Sequence, residues 1–242
     1  MALGPEAFGE DYLYFYEAAL DDERSDAEAE VVWRVLGLEA DREVLDLACG
    51  HGRIANRLAA RGARVTGVDA DGFFLERARR DAAARGVGVE YIQGDMRDLA
   101  WDGRFDAALL WFTAFGYFDD AGNRAVLEGL RRALKPGGRL VVELNHLPWI
   151  LAHRQRQLFQ RRGADVMLDV NTWKPATSEM QTHRTILRDG AVHELDYSLR
   201  MYMPAELASW LAAAGFRQAS ALGASGEPLT SLDARLLMVA EA

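Results

Sequence analysis

Between about residues 42 and 145, short apolar runs alternate with stretches whose apolar positions repeat every three to four residues. The first pattern is typical of strands buried on both faces, and the second is typical of amphipathic helices. Strands are predicted at 44–47, 64–68, 87–92, 105–111 and 139–144, and helices between them at 54–61, 72–85 and 121–134. This alternation predicts βαβ units and a doubly wound, mostly parallel sheet with helices on both faces.

The pattern changes after Asn145, where a predicted helix over 148–160 precedes strand-like runs over 165–203. Arg188-Asp189-Gly190 predicts a hairpin turn among those runs. A helix over 204–214 and strands at 217–222 and 235–241 then complete a seven-stranded, Rossmann-like sheet. We predict a single domain over 1–242, with a helical N-terminal cap over 1–40. An antiparallel β insert over 147–203 is expected to cover the active site at the carboxyl ends of the strands.

Composition and charge narrow the classes of partner. The chain has 242 residues, of which 50% are hydrophobic and 27% charged, as in ordinary globular proteins. Its net charge of −9 argues against nucleic acid and anionic membranes as partners. No signal peptide and no membrane-spanning apolar run is recognisable in the sequence. The single cysteine, Cys49, excludes an internal disulfide, and we expect a cytoplasmic protein.

The first candidate binding residues lie where the first strand ends, directly before a helix. They form the run Asp46-Leu47-Ala48-Cys49-Gly50-His51-Gly52. Gly50 and Gly52 allow a tight turn and close approach to a ligand, and the helix presents free N–H groups. Asp69, at the end of the second strand, is placed to accept hydrogen bonds from ribose hydroxyls. These features fit both a nicotinamide dinucleotide and another adenosine cofactor.

Three further features favour the second possibility. Gly94-Asp95-Met96 ends the third strand, where a carboxylate can accept from an adenine amino group and Met96 offers an apolar contact. Asp46 places a carboxylate in the cofactor cleft, which suits an ammonium or sulfonium ligand rather than pyrophosphate. The turn Lys135-Pro136-Gly137-Gly138 leads into the fifth strand.

In this order and spacing the motifs resemble those of the class I S-adenosylmethionine-dependent methyltransferases, over about residues 40–145. The resemblance implies that Asp69 binds the ribose, that Asp95 and Met96 hold the adenine, and that Trp111 and Phe112 lie beside the transferable methyl group. Ala48 stands where the family usually has a third glycine. The full set of implied cofactor-binding residues is Tyr16, Asp46, Ala48, Gly50, Gly52, Asp69, Ala70, Asp95, Met96, Trp111 and Phe112.

The aromatic run over 11–16 and the tail over 229–235 resemble the small-molecule branch of that family, which includes sugar-amine N-methyltransferases. In that branch N-terminal aromatics close over the cofactor and the insert shapes the acceptor pocket. Tyr12, one helical turn from Tyr16, is a candidate for such a lid, with anchoring of the first helix to the core as the alternative. Phe115 and Tyr117 follow the fourth strand and are expected at the edge of the cleft, so these residues and Tyr12 are predicted to line the substrate pocket. His146, after the fifth strand, is the candidate general base, with a pocket-shaping role as the alternative. The histidines show no spacing of metal ligands, and we predict no metal site.

The predicted function is methyl transfer from S-adenosylmethionine to an amine or hydroxyl of a small molecule by in-line displacement, with S-adenosylhomocysteine as product. Alternatives are a non-catalytic module that binds an adenosyl cofactor and an NAD-dependent oxidoreductase. Methylation of protein or nucleic acid is disfavoured by the acidic charge. The sequence leaves the acceptor open, and it is compatible with a monomer or a homodimer.

Overall fold

The computed structural model describes residues 8–153 and 155–242. The prediction about a signal peptide concerns the N-terminus, and residues 1–7 lie outside the described residues. No helix within the described residues is long and apolar enough to span a bilayer.

Two helices open the described chain, α1 (Glu10–Tyr16) and α2 (Asp22–Leu36), with a short 3-10 turn between them. Asp21 caps α2, because its side chain accepts a hydrogen bond from the backbone N–H of Arg24 at 2.9 Å. Gly37 ends the helix with φ +61°, a conformation that favours glycine. The helical segment predicted at the N-terminus is therefore divided into two helices.

The remaining elements alternate as predicted up to the insert. The later helices are α3 (Ala55–Ala60), α4 (Gly72–Arg85), α5 (Asp120–Ala133), α6 (Leu147–His153) and α7 (Pro204–Ala213). The strands are β1 (Glu43–Leu47), β2 (Arg64–Asp69), β3 (Val89–Gln93), β4 (Phe105–Leu110), β5 (Leu134–Asn145), β6 (Gln157–Arg162), β7 (Asp165–Lys174), β8 (Glu179–Arg188), β9 (Ala191–Arg200), β10 (Arg217–Leu222) and β11 (Arg235–Glu241).

Seven strands form the main sheet in the order β10-β11-β5-β4-β1-β2-β3. The strands from β5 to β3 are parallel, whereas β11 pairs antiparallel with both β5 and β10. The carboxyl ends of β1, β2, β3 and β4 therefore meet at one edge of the sheet, which is where such sheets bind ligands. The predicted fold class is confirmed.

The core beneath this edge follows from the periodicity of α5. Val126, Leu127 and Leu130 repeat at helical spacing and are completely buried. They pack in one cluster with Phe105 of β4 and Leu140 of β5. Burial of each such side chain contributes roughly 1.5–3 kcal/mol, so the centre of the sheet provides a rigid support for the loops above it.

The insert is a separate antiparallel sheet in the order β6-β7-β8-β9. Its β8–β9 hairpin closes with the two residues Asp189 and Gly190, at φ +52° and +78°. Two consecutive positive φ values are typical of the tight turn that matches strand twist. The predicted hairpin is confirmed.

One prediction in this region is wrong. Residues 157–160 were expected to continue a helix, but α6 ends at His153 and β6 begins at Gln157. All six residues of β6 pair with β7, from Gln157 opposite Val170 to Arg162 opposite Asp165. The hydrogen bonds supplied by the neighbouring strand override the weak helical pattern of this short run.

Two boundaries also shift. The third strand begins at Val89 rather than residue 87. The turn predicted over 135–138 lies inside β5, where the pairing with β4 is irregular. Gly137 has φ +77° there and its N–H donates to the carbonyl of Ala242, so the glycine permits a bulge rather than a break in the strand.

Candidate functional site

The loop after β1 has an unusual backbone. Ala48, Gly50 and Gly52 all have positive φ, at +57°, +55° and +75°. The two glycines serve different purposes. A Cβ on Gly52 would overlap the hydroxyl of Tyr91, whereas a Cβ on Gly50 would meet no atom within 4 Å. Gly52 is thus required by packing, and Gly50 leaves open space on the side of the loop where a ligand can approach.

Asp69 links this loop to the end of β2. Its Oδ2 accepts the backbone N–H of Gly50 at 2.7 Å, and its Oδ1 accepts the backbone N–H of Asp71 at 2.9 Å. Burial raises the pKa of Asp69, and these backbone hydrogen bonds oppose that shift. Each oxygen retains a further lone pair, so the carboxylate can still accept from a diol. The neighbouring Ala70 uses its carbonyl to accept from the Gln93 side chain at 3.0 Å.

Asp46 is the one carboxylate of the cleft with an unused oxygen. The residue is only 2% exposed, and its Oδ2 has no hydrogen-bond partner among the described residues. Burial raises the pKa of Asp46 to about 7, a shift that Arg53 opposes and that the charge of Asp69 increases. A buried, unpaired carboxylate is costly, so this group is suited to meet a cationic ligand.

Asp95 is engaged locally. Arg97 donates to both of its carboxylate oxygens, and this pairing lowers the pKa of Asp95. The guanidinium of Arg97 also lies over the ring of Phe118, 4.3 Å from its centre. Met96 packs at the edge of the main core. An adenine amino group can reach Asp95 only by sharing it with Arg97.

The chain after β4 is strained. Phe112 and Thr113 both have left-handed backbones, with φ +61° and +59°, which is rare for residues with branched or bulky side chains. Glu143 of β5 holds them in place, because its backbone carbonyl and its carboxylate both accept the N–H of Thr113. Arg235 donates to Glu143 and to the hydroxyl of Thr113. Backbone strain held in this way is often found at functional sites.

Trp111 connects the same loop to the N-terminal helices. Its indole N–H donates to Glu28 of α2 at 2.7 Å, and Arg53 from the loop after β1 donates to the same carboxylate oxygen. Burial raises the pKa of Glu28, but its ion pair with Arg53 and three hydrogen bonds outweigh this effect and lower it. The guanidinium of Arg53 also lies 5.2 Å from the ring centre of Phe112. Glu28 therefore joins helix α2 to two loops of the cleft.

His146 follows β5 and is buried. Its backbone N–H donates to the carbonyl of Ala234, and its Nδ1 lies 2.7 Å from the carbonyl oxygen of Asp233. Because a carbonyl can only accept, Nδ1 carries the proton and Nε2 is left as the acceptor in the neutral ring. Nε2 is therefore the ring nitrogen that is free to act as a base.

Tyrosine rings gather between α1 and the insert. Tyr12 and Tyr16, one helical turn apart, stack with ring centres 4.4 Å apart. Phe8 contacts Tyr12, Tyr117 and Tyr197 at 5.1–6.3 Å, which joins α1, the loop after β4 and the insert sheet. Tyr12 also lies 6.5 Å from Phe74 of α4. The structure thus brings the predicted pocket residues Tyr12 and Tyr117 together.

A buried ion pair lies beneath these rings. Arg184 of β8, 2% exposed, donates from Nε and Nη2 to the two oxygens of Asp169 at 2.7 Å each. The same guanidinium lies over the rings of Tyr12 and Tyr197 and donates to the Tyr197 hydroxyl at 3.2 Å. Burial raises the pKa of Tyr197 to about 12, so its hydroxyl stays protonated. The tyrosines therefore place several protonated hydroxyls around one ion pair whose two charges balance.

The structure corrects one predicted pocket residue and gives the surroundings of two other residues. Phe115, expected to line the substrate pocket, is instead fully buried in the main core, stacked on Tyr202 at 5.4 Å. Tyr16, expected at the cofactor, stacks on Tyr12 beside the insert. Burial raises the pKa of the Cys49 thiol well above its usual value, which favours a packing role over a nucleophilic one.

Comparison with known proteins identifies the family. The "Methyltransferase domain" family matches residues 44–138. A demethylmenaquinone methyltransferase of Clavibacter sepedonicus is 32% identical over 193 residues, which cover 76% of this chain and 71% of that protein. The chain belongs to the class I S-adenosylmethionine-dependent methyltransferases. S-adenosylmethionine is therefore the cofactor, and the predicted family is confirmed.

Other methyltransferases match to differing extents. A demethylmenaquinone methyltransferase of Thermus thermophilus is 43% identical over 122 residues, or 47% of this chain. The match spans only 54% of that relative's length. The crystal structure of the sugar N-methyltransferase KedS8 from Streptoalloteichus superposes with a TM-score of 0.70 at 23% identity, covering 99% of this chain and 96% of that one. This likeness shows a shared fold.

The chemistry of the cleft fits S-adenosylmethionine in two respects. The buried oxygen of Asp46 lacks a partner, and the cofactor of these methyltransferases carries both an ammonium and a sulfonium group. The side of Gly50 that faces no protein atom leaves room for a ligand beside Asp69.

We expect Asp69→Ala to weaken binding of S-adenosylhomocysteine by about 2 kcal/mol, or roughly 30-fold, because a ribose diol loses its charged acceptor. Isothermal titration calorimetry measures this directly. Asp71→Ala is the matched control, since it removes an adjacent carboxylate that caps α4 and should change the affinity little. Unchanged affinity in a folded Asp69→Ala protein would place the ribose elsewhere.

We also expect the affinity for S-adenosylmethionine to rise with pH. The raised pKa of Asp46, about 7, means that the ionised form that attracts a cation increases roughly fivefold from pH 6 to pH 7. His51 does not titrate in this range, because burial lowers its pKa to about 4. Calorimetry at both pH values should show the change, and Asp46→Asn should abolish it. Equal affinity of the wild-type protein at pH 6 and pH 7 would contradict the role of Asp46.

Proposed function

We propose that this protein transfers a methyl group from S-adenosylmethionine to an amine or hydroxyl of a small molecule held between α1 and the insert sheet. The observation that carries the proposal is the group of Tyr12, Tyr16, Tyr117 and Tyr197 around the Asp169–Arg184 ion pair, which we call the tyrosine cluster. It adjoins the cofactor cleft through Phe74, which contacts both Tyr12 and His51 of the loop after β1.

The cluster favours a small polar acceptor. Tyr12, Tyr117 and Tyr197 present ring faces and protonated hydroxyls, and burial keeps the pKa of each hydroxyl above its usual value. Ring faces attract an ammonium group, and hydroxyls bond to sugar or phenol oxygens. Arg184 adds guanidinium N–H donors, and Asp169 balances its charge.

The names of several related proteins support a small-molecule acceptor. One structural neighbour is a sugar N-methyltransferase, one curated relative is a ubiquinone biosynthesis O-methyltransferase, and two others are demethylmenaquinone methyltransferases. The net charge of −9 supports a small molecule over a nucleic acid or an anionic membrane. In the same proposal the protein acts in the cytoplasm.

When bound, S-adenosylmethionine supplies an electrophilic methyl group on a positively charged sulfur. The chain's own residues then have three tasks. Asp46, Asp69 and Gly50 would hold and orient the cofactor, and Phe112 of the strained loop would lie beside it. The tyrosine cluster orients the acceptor in line with the methyl group and excludes water.

A hydroxyl acceptor, or an amine that arrives protonated, must lose a proton before or during transfer. We assign this step to His146, whose Nδ1–H bond to Asp233 leaves Nε2 able to accept. The Asp233 side chain is itself held by Thr230, which donates from both its backbone N–H and its hydroxyl at 2.7 Å. The turn before β11 therefore fixes the orientation of the imidazole ring.

The direct test is turnover. The protein is incubated with S-adenosylmethionine and a panel of amino sugars, simple amines, phenols and quinols, and S-adenosylhomocysteine and methylated products are detected by mass spectrometry. We expect turnover with one acceptor class, and Tyr12→Ala should raise the acceptor KM at least about tenfold by removing a ring contact. Its affinity for S-adenosylhomocysteine should be unchanged.

Tyr14→Ala is the matched control for this experiment. Tyr14 lies on the same helix, but its hydroxyl bonds to Asp165 at the start of β7, beside the β6–β7 turn, so the acceptor KM should stay near the wild-type value. Tight binding of S-adenosylhomocysteine without turnover on any acceptor class would favour a non-catalytic cofactor-binding module instead.

We expect His146→Ala to lower kcat by about 10²-fold or more with an acceptor that must lose a proton. Added imidazole should restore part of the rate. A purely structural histidine would instead lower the melting temperature, and imidazole would not restore the rate. An unaltered rate at every pH would remove His146 as the base.

A further inference from the structure

The backbone at Phe112 and Thr113 is unfavourable for the residues that occupy it. Both φ values are positive, at +61° and +59°, and neither residue is glycine. Thr113 is β-branched, so the left-handed region is especially costly for it. Within the described part of the chain, no other pair of successive non-glycine residues shares this conformation. Contacts from the surrounding structure must therefore stabilise it.

Arg235, the first residue of β11, provides such contacts. Its guanidinium donates to the Thr113 hydroxyl at 2.8 Å, to the carboxylate of Glu143 and to the side-chain carbonyl of Asn145. The carboxylate of Glu143 in turn accepts the backbone N–H of Thr113 at 3.2 Å. The guanidinium also lies 5.7 Å from the ring centre of Phe112. Thr113 is thus held at its side chain by Arg235 and at its backbone by the ion-pair partner of Arg235.

The pairing of β11 with β5 does not need these side-chain contacts. All seven residues of β11 pair antiparallel with β5 through the backbone. Leu236 and Leu237, which follow Arg235, are completely buried and anchor the strand by apolar packing. Replacement of the Arg235 side chain therefore leaves the strand pairing in place and removes the support of the loop after β4.

The strained loop also contacts the loop after β1, to which we assign the cofactor. The guanidinium of Arg53, which follows Gly52, lies 5.2 Å from the ring centre of Phe112. Trp111 and Arg53 both donate to the same carboxylate oxygen of Glu28. The position of the Phe112 ring is therefore coupled to the cofactor cleft.

We infer that Arg235 is a positioning residue, which holds Phe112 and Thr113 in the left-handed conformation that places the Phe112 ring beside S-adenosylmethionine. The inference rests on the proposed role of Phe112 at the cofactor. Without Arg235 the pair relaxes towards ordinary backbone conformations, and fewer molecules have the ring in place. The affinity for a ligand falls in proportion to the fraction of molecules in the competent conformation. Arg235 thus acts on cofactor binding through the loop.

The segment that contains Arg235 also contacts His146, but only through its backbone. The carbonyl of Asp233 accepts from Nδ1 of the His146 ring, and the carbonyl of Ala234 accepts the His146 backbone N–H. A change of the Arg235 side chain leaves both carbonyls in place. Its effect on cofactor binding can therefore be separated from the proton transfer assigned to His146.

The test is isothermal titration calorimetry with S-adenosylhomocysteine. We expect Arg235→Lys to lower the affinity about tenfold or more, because lysine can pair with Glu143 but has no planar fork to bridge several acceptors. A simple ion pair between strands would tolerate this substitution. Arg217→Lys is the matched control. Arg217 pairs with Glu241 at the other end of β11 and is exposed, so the affinity should stay within about twofold of wild type.

The decisive comparison is between Thr113→Gly and Thr113→Ala in the Arg235→Lys background. Both substitutions remove the hydroxyl that Arg235 contacts, but only glycine adopts a positive φ without steric cost. The glycine variant should therefore bind S-adenosylhomocysteine about fivefold more tightly than the alanine variant. The same two substitutions in protein that retains Arg235 give the baseline. The difference should be smaller there, because Arg235 and Glu143 still hold the loop.

Unchanged affinity in a folded Arg235→Lys protein would overturn the inference and leave the proposed function standing. The same ratio of glycine to alanine affinities with and without Arg235 would also overturn it, since the backbone strain would then not depend on Arg235. Wild-type protein that binds no S-adenosylhomocysteine would overturn both. Arg235→Gln is the second variant, which keeps one amide donor without the charge and should show the same loss. Circular dichroism confirms that each variant is folded.

Discussion

One hydrogen bond organises the cofactor cleft, namely the 2.7 Å contact from the Gly50 N–H to the carboxylate of Asp69. It exists because β1 and β2 are parallel neighbours whose carboxyl ends meet at the same edge of the sheet. The contact fixes the loop after β1 relative to the end of β2. With the loop fixed, the open side of Gly50 and the unpaired oxygen of Asp46 have defined positions. The backbone hydrogen bond from Cys49 to Val68 supports the same arrangement.

The N-terminal helices are attached to this loop by charge rather than by apolar packing alone. Arg53, which follows Gly52, donates to Glu28 of α2, and Arg57 one turn later pairs with Asp22 and Asp26. Exposed ion pairs contribute little to stability, but both arginines are buried and Glu28 is largely so. Because Glu28 also accepts from Trp111, movement of α2 would disturb both loops at once. The acidic N-terminal segment is thus part of the cleft's construction.

The sequence allowed prediction of those parts whose signal is local. A strand, a glycine turn and a helix follow one another within a few residues around Gly50, and the closing strands 217–222 and 235–241 were predicted with their observed bounds. The partners of buried charges were not predictable in this way. Asp169 meets Arg184 fifteen residues later, and Glu143 meets Arg235 ninety-two residues later. Sequence periodicity indicates which side chains are buried and says nothing about which distant residue they contact.

A different signal could have marked these charges. Glu143 and Asp169 each interrupt an apolar strand, and an ionised side chain buried in a strand needs a partner to offset its desolvation. Phe115 shows the converse, because an aromatic residue close to a predicted cleft carries no indication of whether it faces the ligand or the core. In both cases the missing information is three-dimensional.

Strand alternation gives the two faces of the insert sheet different residues and different surroundings. Successive side chains point to opposite faces, so Arg184 can be buried against the tyrosines while its neighbours Thr185 and His183 lie on the outer face. Changes on one face therefore leave the composition of the other untouched. The methyltransferase sheet beneath has no such freedom, because its strands are covered on both sides by the core and helices. Substitutions are consequently easier to accommodate in the insert than in the sheet whose strand ends form the cofactor cleft.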